Sequence, residues 1–354
     1  MTSRLVVIPF VPASNAPQAG HRLAYEAVKS AVEEGAVHVL LLLKSAAPLP
    51  EEFVALCGKD NVSVIVVSRW RALGAWLGNP GVYPRFLTRF ARSAVDAIAA
   101  HLETKPCDEI RLEFSQTFVY ANAVRKAVRT PVRIALVAHD LQVQVVARQS
   151  NWEYWLMPWV LRTESRAIRA ADELIVLSEK DAVLVTSLID FPGKLTVNVP
   201  APARFTAGVR RTPEKLEKNS LLFWGAMGRA ENEEAVLRFH RDVLDPLRRE
   251  GFSYKLYVVG SNPGQRVLDL ESDGCVVTGF VDDPTTYFER CAIGVVPLLR
   301  GAGIKLKTLE MLACGLPVLS TPIGAEGIEG SGDKMTVCAL SDFKRHRAER
   351  YERG

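Results

Sequence analysis

Two doubly wound α/β domains in tandem are the fold this sequence predicts, and three observations carry the prediction. Its 354 residues exceed what one hydrophobic core usually serves, so two domains of ordinary size are expected. Short runs of Val, Leu and Ile, which suit parallel strands covered on both faces, alternate with helix-length stretches of period 3.6. The alternation lapses near Pro200 to Ser220, where Pro-Ala-Pro and Arg210-Arg211-Thr-Pro replace apolar periodicity, and then restarts. The reading assigns residues 1–205 to the first domain and 206–354 to the second.

The elements follow in order. Leu5 to Phe10 is the first strand, and a helix with Leu23, Ala27, Val28, Ala31 and Val32 on one face ends at Gly35. Val37 to Leu43, Val62 to Val67, Glu109 to Glu113, Val132 to Ala138 and Leu174 to Leu177 read as the further strands of the first domain. In the second, strands are expected at Leu221 to Trp224, Tyr254 to Val259, Val276 to Thr278, Ile293 to Pro297 and Pro317 to Ser320. A helix spans Glu231 to Glu250, with acids in its first turn, Arg248 and Arg249 in its last, and Gly251 beyond it.

Composition excludes several classes. With 48% hydrophobic and 24% charged residues, disorder is not the main state. Apolar runs such as Val39 to Leu43 fall far short of the about 20 residues a bilayer span needs. The six cysteines lie far apart, with no C-x-x-C pair and no His at ligand spacing, so neither a disulfide framework nor a bound metal is expected. A net charge of +4 is too small to argue for nucleic acid. Met1 to Ala13, with a single Arg and two prolines, lacks the pattern of a signal peptide, and a cytoplasmic location is expected.

The chemistry is concentrated in Val296-Pro-Leu-Leu-Arg-Gly-Ala-Gly-Ile-Lys-Leu-Lys-Thr-Leu-Glu-Met-Leu-Ala-Cys-Gly-Leu-Pro-Val318. This is a strand, a loop with Gly301 and Gly303, a helix from about Ile304 to Cys314, Gly315 as its cap, and another strand. The glycines let backbone approach a ligand at the helix N-terminus, where free N–H groups favour phosphate. Lys307 and Glu310, three apart, share a helix face. A lysine at the phosphates and a carboxylate accepting from sugar hydroxyls would together hold a nucleoside diphosphate. Taken alone, the same pair also reads as a solvated helix contact.

The whole string resembles the nucleotide-sugar site of the glycosyl transferases group 1, the family-4-like retaining glycosyltransferases of the GT-B fold. That family places a helix Glu before a Cys-Gly-x-Pro-Val run, as Glu310 stands before Cys314-Gly315-Leu316-Pro317-Val318. Phe223-Trp-Gly-Ala-Met227 and Thr278-Gly-Phe-Val-Asp-Asp283 resemble donor-side loops, and Val137-Ala-His-Asp140 resembles the His-Asp at the family's cleft. The resemblance implies two Rossmann-like domains facing a cleft, a nucleotide-sugar donor in the second, and a glycan or lipid-linked acceptor handled by the first. It implies transfer with retention, no cofactor and no obligatory metal. His139 takes the place of the residue near the transferred sugar. Donor-binding positions map onto Glu310, Lys307, Lys305, Gly303, Gly225, Gly279 and Val281, with Gly20 at the first helix N-terminus.

Two departures stand out. Ala302 occupies the place where many members carry a second Glu, and a Gly-x-Gly-x-Lys-x-Lys loop supplies positive charge instead, from Lys305 or Lys307. The family's closing helices look shortened in the last residues, Phe343 to Gly354. Two aromatic and basic stretches are left over: Trp70 to Arg92 and Asn151 to Arg169. Arg85, Arg89 and Arg92, at helical spacing beside Phe86 and Phe90, would suit peripheral contact with the inner membrane surface or a lipid-linked acceptor. Aromatic core faces with a solvated basic edge are the commoner explanation of such a pattern. A catalytically silent binding partner and a nucleotide-sugar epimerase are the alternatives to a transferase.

Overall fold

The computed structural model describes residues 2–16, 18–128, 130–148 and 152–346. Pro17, Asn151 and the tail from 347 onward, on which parts of the sequence reading fall, lie outside them. The chain divides into two compact units, Met1–Val199 and Pro200–Gly354.

The first unit holds seven strands: β1 (Thr2–Ile8), β2 (Gly35–Leu43), β3 (Val62–Val66), β4 (Glu109–Glu113), β5 (Arg133–Ala138), β6 (Glu173–Val176) and β7 (Lys194–Val197). They pair in the order β3-β2-β1-β4-β5-β6-β7, every pair parallel. Alternate residues of β1 enter opposite cores, as the period of two requires. Leu5 and Val7 pack with Ile98, Tyr120 and Val124 on one face, while Val6 and Ile8 pack with Ala24, Val28 and Phe53 on the other. That double covering is why the strands are nearly continuous hydrophobic runs.

The second unit repeats the plan with β8 (Glu217–Trp224), β9 (Lys255–Val259), β10 (Cys275–Gly279), β11 (Cys291–Val296), β12 (Val318–Ser320) and β13 (Met335–Val337). Their order is β10-β9-β8-β11-β12-β13, again all parallel. Strand order reverses at β1/β4 and at β8/β11. In open parallel sheets, ligands bind beyond the carboxyl ends of the strands at such switch points.

Sequence and structure differ at identifiable places. β1 begins three residues earlier than expected and stops before Pro9. β7 and β13 escape sequence reading because they are edge strands of four and three residues. The helix expected over Glu231 to Glu250 starts at Ala230 and widens into a π turn over His240–Leu244 before resuming at Asp245–Arg249. Pro246 is the reason: it lacks an N–H, and its ring would strike the preceding turn of a regular α-helix. The helix expected from Ile304 begins at Leu306.

Candidate donor-binding and sugar-side sites

At the β8/β11 switch point, β8 ends in Trp224 and the chain turns at Gly225 with φ 150°. A Cβ on Gly225 would stand 2.8 Å from Lys307 Nζ, so only glycine lets the lysine lie this close to the backbone. Gly260, after β9, is tighter still, since its Cβ would fall 1.8 Å from the Gly225 carbonyl oxygen. Buried Asn232, in the helix from Ala230, donates to the Ala226 carbonyl at 2.7 Å and accepts from Lys307 Nζ at 2.6 Å. The ammonium also lies 4.7 Å from the centre of the Phe223 ring. Burial lowers the Lys307 pKa to about 7, with Arg229 and Lys305 pushing the same way and Glu231 and Glu310 opposing. A lysine whose charged form is disfavoured in this way is poised to gain from a phosphate charge.

The helix Leu306–Ala313 enters from a loop in which Gly301 and Gly303 have φ of 129° and 66°. Lys305 folds beneath that loop. Its Nζ donates to the carbonyls of Ala302 at 2.9 Å and Gly303 at 2.6 Å and lies 3.5 Å from Glu326. Thr308 Oγ1 ties the same helix to the Gly324 carbonyl at 2.6 Å. At the far end, Gly315 (φ 72°) donates to Leu312 and Leu316 to Met311, the two bonds of a Schellman cap. Between these anchors sits Glu310, only 2% exposed, whose Oε2 accepts from Trp224 Nε1 at 2.6 Å. Trp224 is itself held edge-on against Phe205 and Phe288.

The flanking loops complete the arrangement. Gly279 (φ 68°) gives its carbonyl to Gly260 N–H at 3.1 Å, and Val281 packs half-buried on the core of the second unit. Ser261 accepts from Met227 N–H at 2.7 Å through its carbonyl, while its own buried Oγ has no hydrogen-bond partner among the described residues.

In the first unit, His139 follows β5 and its Nε2 lies 2.9 Å from Glu113 Oε2, at the end of β4. The imidazole is stacked on Phe114, ring centres 3.6 Å apart and planes 6° from parallel. Phe114 reaches that position with φ 68°, in the left-handed region, which is costly for an aromatic residue. Phe10 packs edge-on against Phe114 and face-on against His21, while a Cβ on Gly20 would meet the Phe114 ring at an ordinary 3.5 Å. Glu113 Oε1 and His139 Nδ1 are both buried without a hydrogen-bond partner among the described residues. Asp140 accepts from Gln142 Nε2 at 2.8 Å. Glu164 accepts from the backbone N–H groups of Gln142 and Val143 at 2.7 and 3.0 Å, capping the helix Gln142–Ala147. Burial pushes its carboxyl up to about 7 against those two donors.

Residues 218–348 match the family profile described as Glycosyl transferases group 1. Among solved structures, sucrose-phosphate synthase from Thermosynechococcus elongatus is similar, with a TM-score of 0.71 at 15% identity, over 99% of this chain and 89% of that one. WaaG, a glycosyltransferase involved in lipopolysaccharide biosynthesis, gives 0.62 at 15%, over 98% and 91%. HepE from Anabaena, solved in complex with UDP, gives 0.65 at 13%, over 98% and 90%. The family match thus falls on the second unit, and the fold of the whole chain is GT-B. No curated protein matches the sequence.

Within the second unit, Glu310, Lys307, Gly225 and Asn232 come together around β8 and the 306–313 helix. Lys305 is instead committed to its own loop. His139 sits in the first unit with Glu113 and Phe114, neither of which sequence reading singled out. The signal for Glu113 was a carboxylate at the end of an otherwise buried strand. For Trp224 it was an indole in a position that only a hydrogen-bond partner would make comfortable. The expected helical face of Arg85, Arg89 and Arg92 does not form. Pro84–Leu87 is a 3₁₀ turn with Phe86 buried, Arg89 donates to the Pro9 carbonyl at 2.9 Å, and the following helix begins only at Arg92. Among the described residues, no three His, Cys, Asp or Glu side chains cluster as a metal site. No helix among them is long and apolar enough to cross a membrane.

Proposed function

We propose that this glycosyltransferase moves a sugar from a nucleotide-sugar donor to a glycan or lipid-linked glycan acceptor, with retention of anomeric configuration. The observation that carries the reading is the Glu310 carboxylate, buried and oriented by Trp224 on the same short helix as Lys307. Glu310 accepts the ribose hydroxyls of the donor. Lys307, with Gly225 and Gly303 leaving room for close backbone approach, meets the diphosphate. Gly279 and Val281 are assigned to the base, and Gly20 to the diphosphate. Lys305 acts indirectly, by holding the loop that presents the helix N-terminus. The bound UDP of HepE supports a nucleoside diphosphate as the ligand class.

The chemistry assigned to these residues is electrostatic. As the glycosidic bond to the diphosphate breaks, negative charge grows on the leaving oxygen, and Lys307 with the helix N–H groups stabilises it where a cation would otherwise be required. His139 faces the transferred sugar. Glu113 fixes its imidazole through Nε2, which leaves Nδ1 as the ring nitrogen with no partner among the described residues. No residue is assigned as a nucleophile. The test is a panel of nucleotide sugars, read for thermal stabilisation and for sugar released with and without acceptor. Transfer to an acceptor supports the proposal. Binding without release would make the protein a silent partner, and an altered nucleotide sugar would make it an epimerase.

A further inference from the structure

The helix Arg69–Leu77 has no buried residue. Trp70 is 81% and Leu77 68% exposed, and Leu73 and Trp76 are exposed as well. At 100° per residue these four span one arc of about 120° that also contains Arg69. The half-buried Ala72 and Ala75 lie on the opposite side, against the protein. Soluble proteins rarely leave two tryptophans and two leucines contiguous and bare. A second bare aromatic group, Trp152, Tyr154 and Trp155, precedes the helix Met157–Ile168. The elements that follow the two groups are joined. Trp159 Nε1 donates to the Gly81 carbonyl at 3.1 Å and Thr163 Oγ1 accepts from Tyr83 N–H at 3.0 Å, which ties the second helix to the segment that leaves the first.

Charge identifies the occupant. From Arg69 to Arg92 the chain carries five arginines and no Asp, Glu or Lys. A second copy of this chain would oppose arginine with arginine across the face, and a neutral apolar partner would leave those charges unused. We propose that the Trp70, Leu73, Trp76 and Leu77 face, with Arg69 on it and the exposed Arg85 on the turn that follows, docks on a bilayer surface bearing anionic phospholipid headgroups. Indole rings settle at the headgroup level with the leucines below them, and the arginines meet the phosphates. The face differs from the Arg85, Arg89 and Arg92 stripe that the sequence suggests, and it needs no donor to be bound.

Sedimentation of the full chain with vesicles tests the proposal without reference to sugar transfer. Vesicles of equal parts phosphatidylglycerol and phosphatidylcholine should pellet the protein at low salt, and phosphatidylcholine alone should not. About 0.5 M salt should release much of it, because the arginines act through screened charge. The combined Trp70→Ser, Leu73→Ser and Leu77→Ser variant alters only exposed positions and should melt as the parent does. It should partition at least tenfold more weakly. Arg69→Gln with Arg85→Gln should lose about fivefold per arginine. A parent that stays in solution with anionic vesicles would overturn the proposal, as would a serine variant that pellets like the parent. A parent that is dimeric while the serine variant is monomeric would assign the face to a second copy instead.

Discussion

Glu113 and His139 show how a carboxylate buried at a strand end gives a histidine a direction. The carboxylate holds Nε2, Phe114 holds the ring plane, and Nδ1 is left as the ring nitrogen without a partner among the described residues. Glu113→Gln keeps the shape but replaces a charge-assisted bond by a neutral one of roughly half its strength. Turnover should therefore fall roughly tenfold, with donor affinity nearly unchanged. His139→Ala should cost on the order of a hundredfold in turnover, the usual loss for one group acting in the transition state. Equal losses in turnover and in donor affinity would make the pair structural. Lys307 behaves differently. Its pKa is lowered to about 7 and a bound diphosphate raises it, so the donor selects the protonated form. A nucleotide sugar, whose diphosphate charge is constant near neutrality, should bind most tightly below pH 7 and progressively more weakly as pH rises. Without ligand the sign is opposite. The unfolded chain binds more protons between about 7 and the ordinary lysine value, so stability rises with pH across that window. Lys307→Met should melt above the parent at pH 6, and the gap should narrow by pH 9. A titration by calorimetry showing pH-independent affinity would remove Lys307 from the diphosphate.

Among the elements, the chain leaving β9 and the chain leaving β10 differ in how closely they are packed. Gly260→Ala would drive a methyl group into the Gly225 carbonyl, 1.8 Å away, whereas Gly279→Ala meets nothing within 4 Å and suffers only from φ 68°. Urea unfolding should give about 1 to 2 kcal/mol for Gly279→Ala, the ordinary left-handed cost, and a clearly larger loss for Gly260→Ala. Comparable values would mean that the two loops yield easily. Such contrasts are invisible in sequence, where both are glycines after strands. What sequence did disclose at this scale was each long strand and the Gly315 cap, because hydrophobic runs and C-cap glycines are local signals. The π turn before Pro246 and the edge strands β7 and β13 depend on tertiary context. The Trp224 to Glu310 bond joins residues 86 apart, so no local pattern announces it. The bare helix Arg69–Leu77 was legible only as an aromatic and basic stretch, since its exposure is a property of what fails to cover it.

For the whole molecule, the account rests on one charge arrangement in the second unit and on cation-free stabilisation of the leaving group. Chelation by EDTA should leave sugar transfer essentially unchanged, because Lys307 and backbone N–H groups are assigned the diphosphate charge. A steep loss restored by Mg²⁺ or Mn²⁺ would refute that assignment. The most direct test of the central claim is the thermal shift produced by nucleoside diphosphates in the parent and in Glu310→Ala. A ligand that binds only the folded state at a hundredfold excess over Kd adds about 2.7 kcal/mol, a rise of several degrees for a unit of this size. Charged hydrogen bonds to two ribose hydroxyls contribute about 1.5 to 3 kcal/mol, so Glu310→Ala should weaken binding at least tenfold and remove most of the shift. An undiminished shift in Glu310→Ala, or no shift in the parent with any nucleoside diphosphate, would contradict the account.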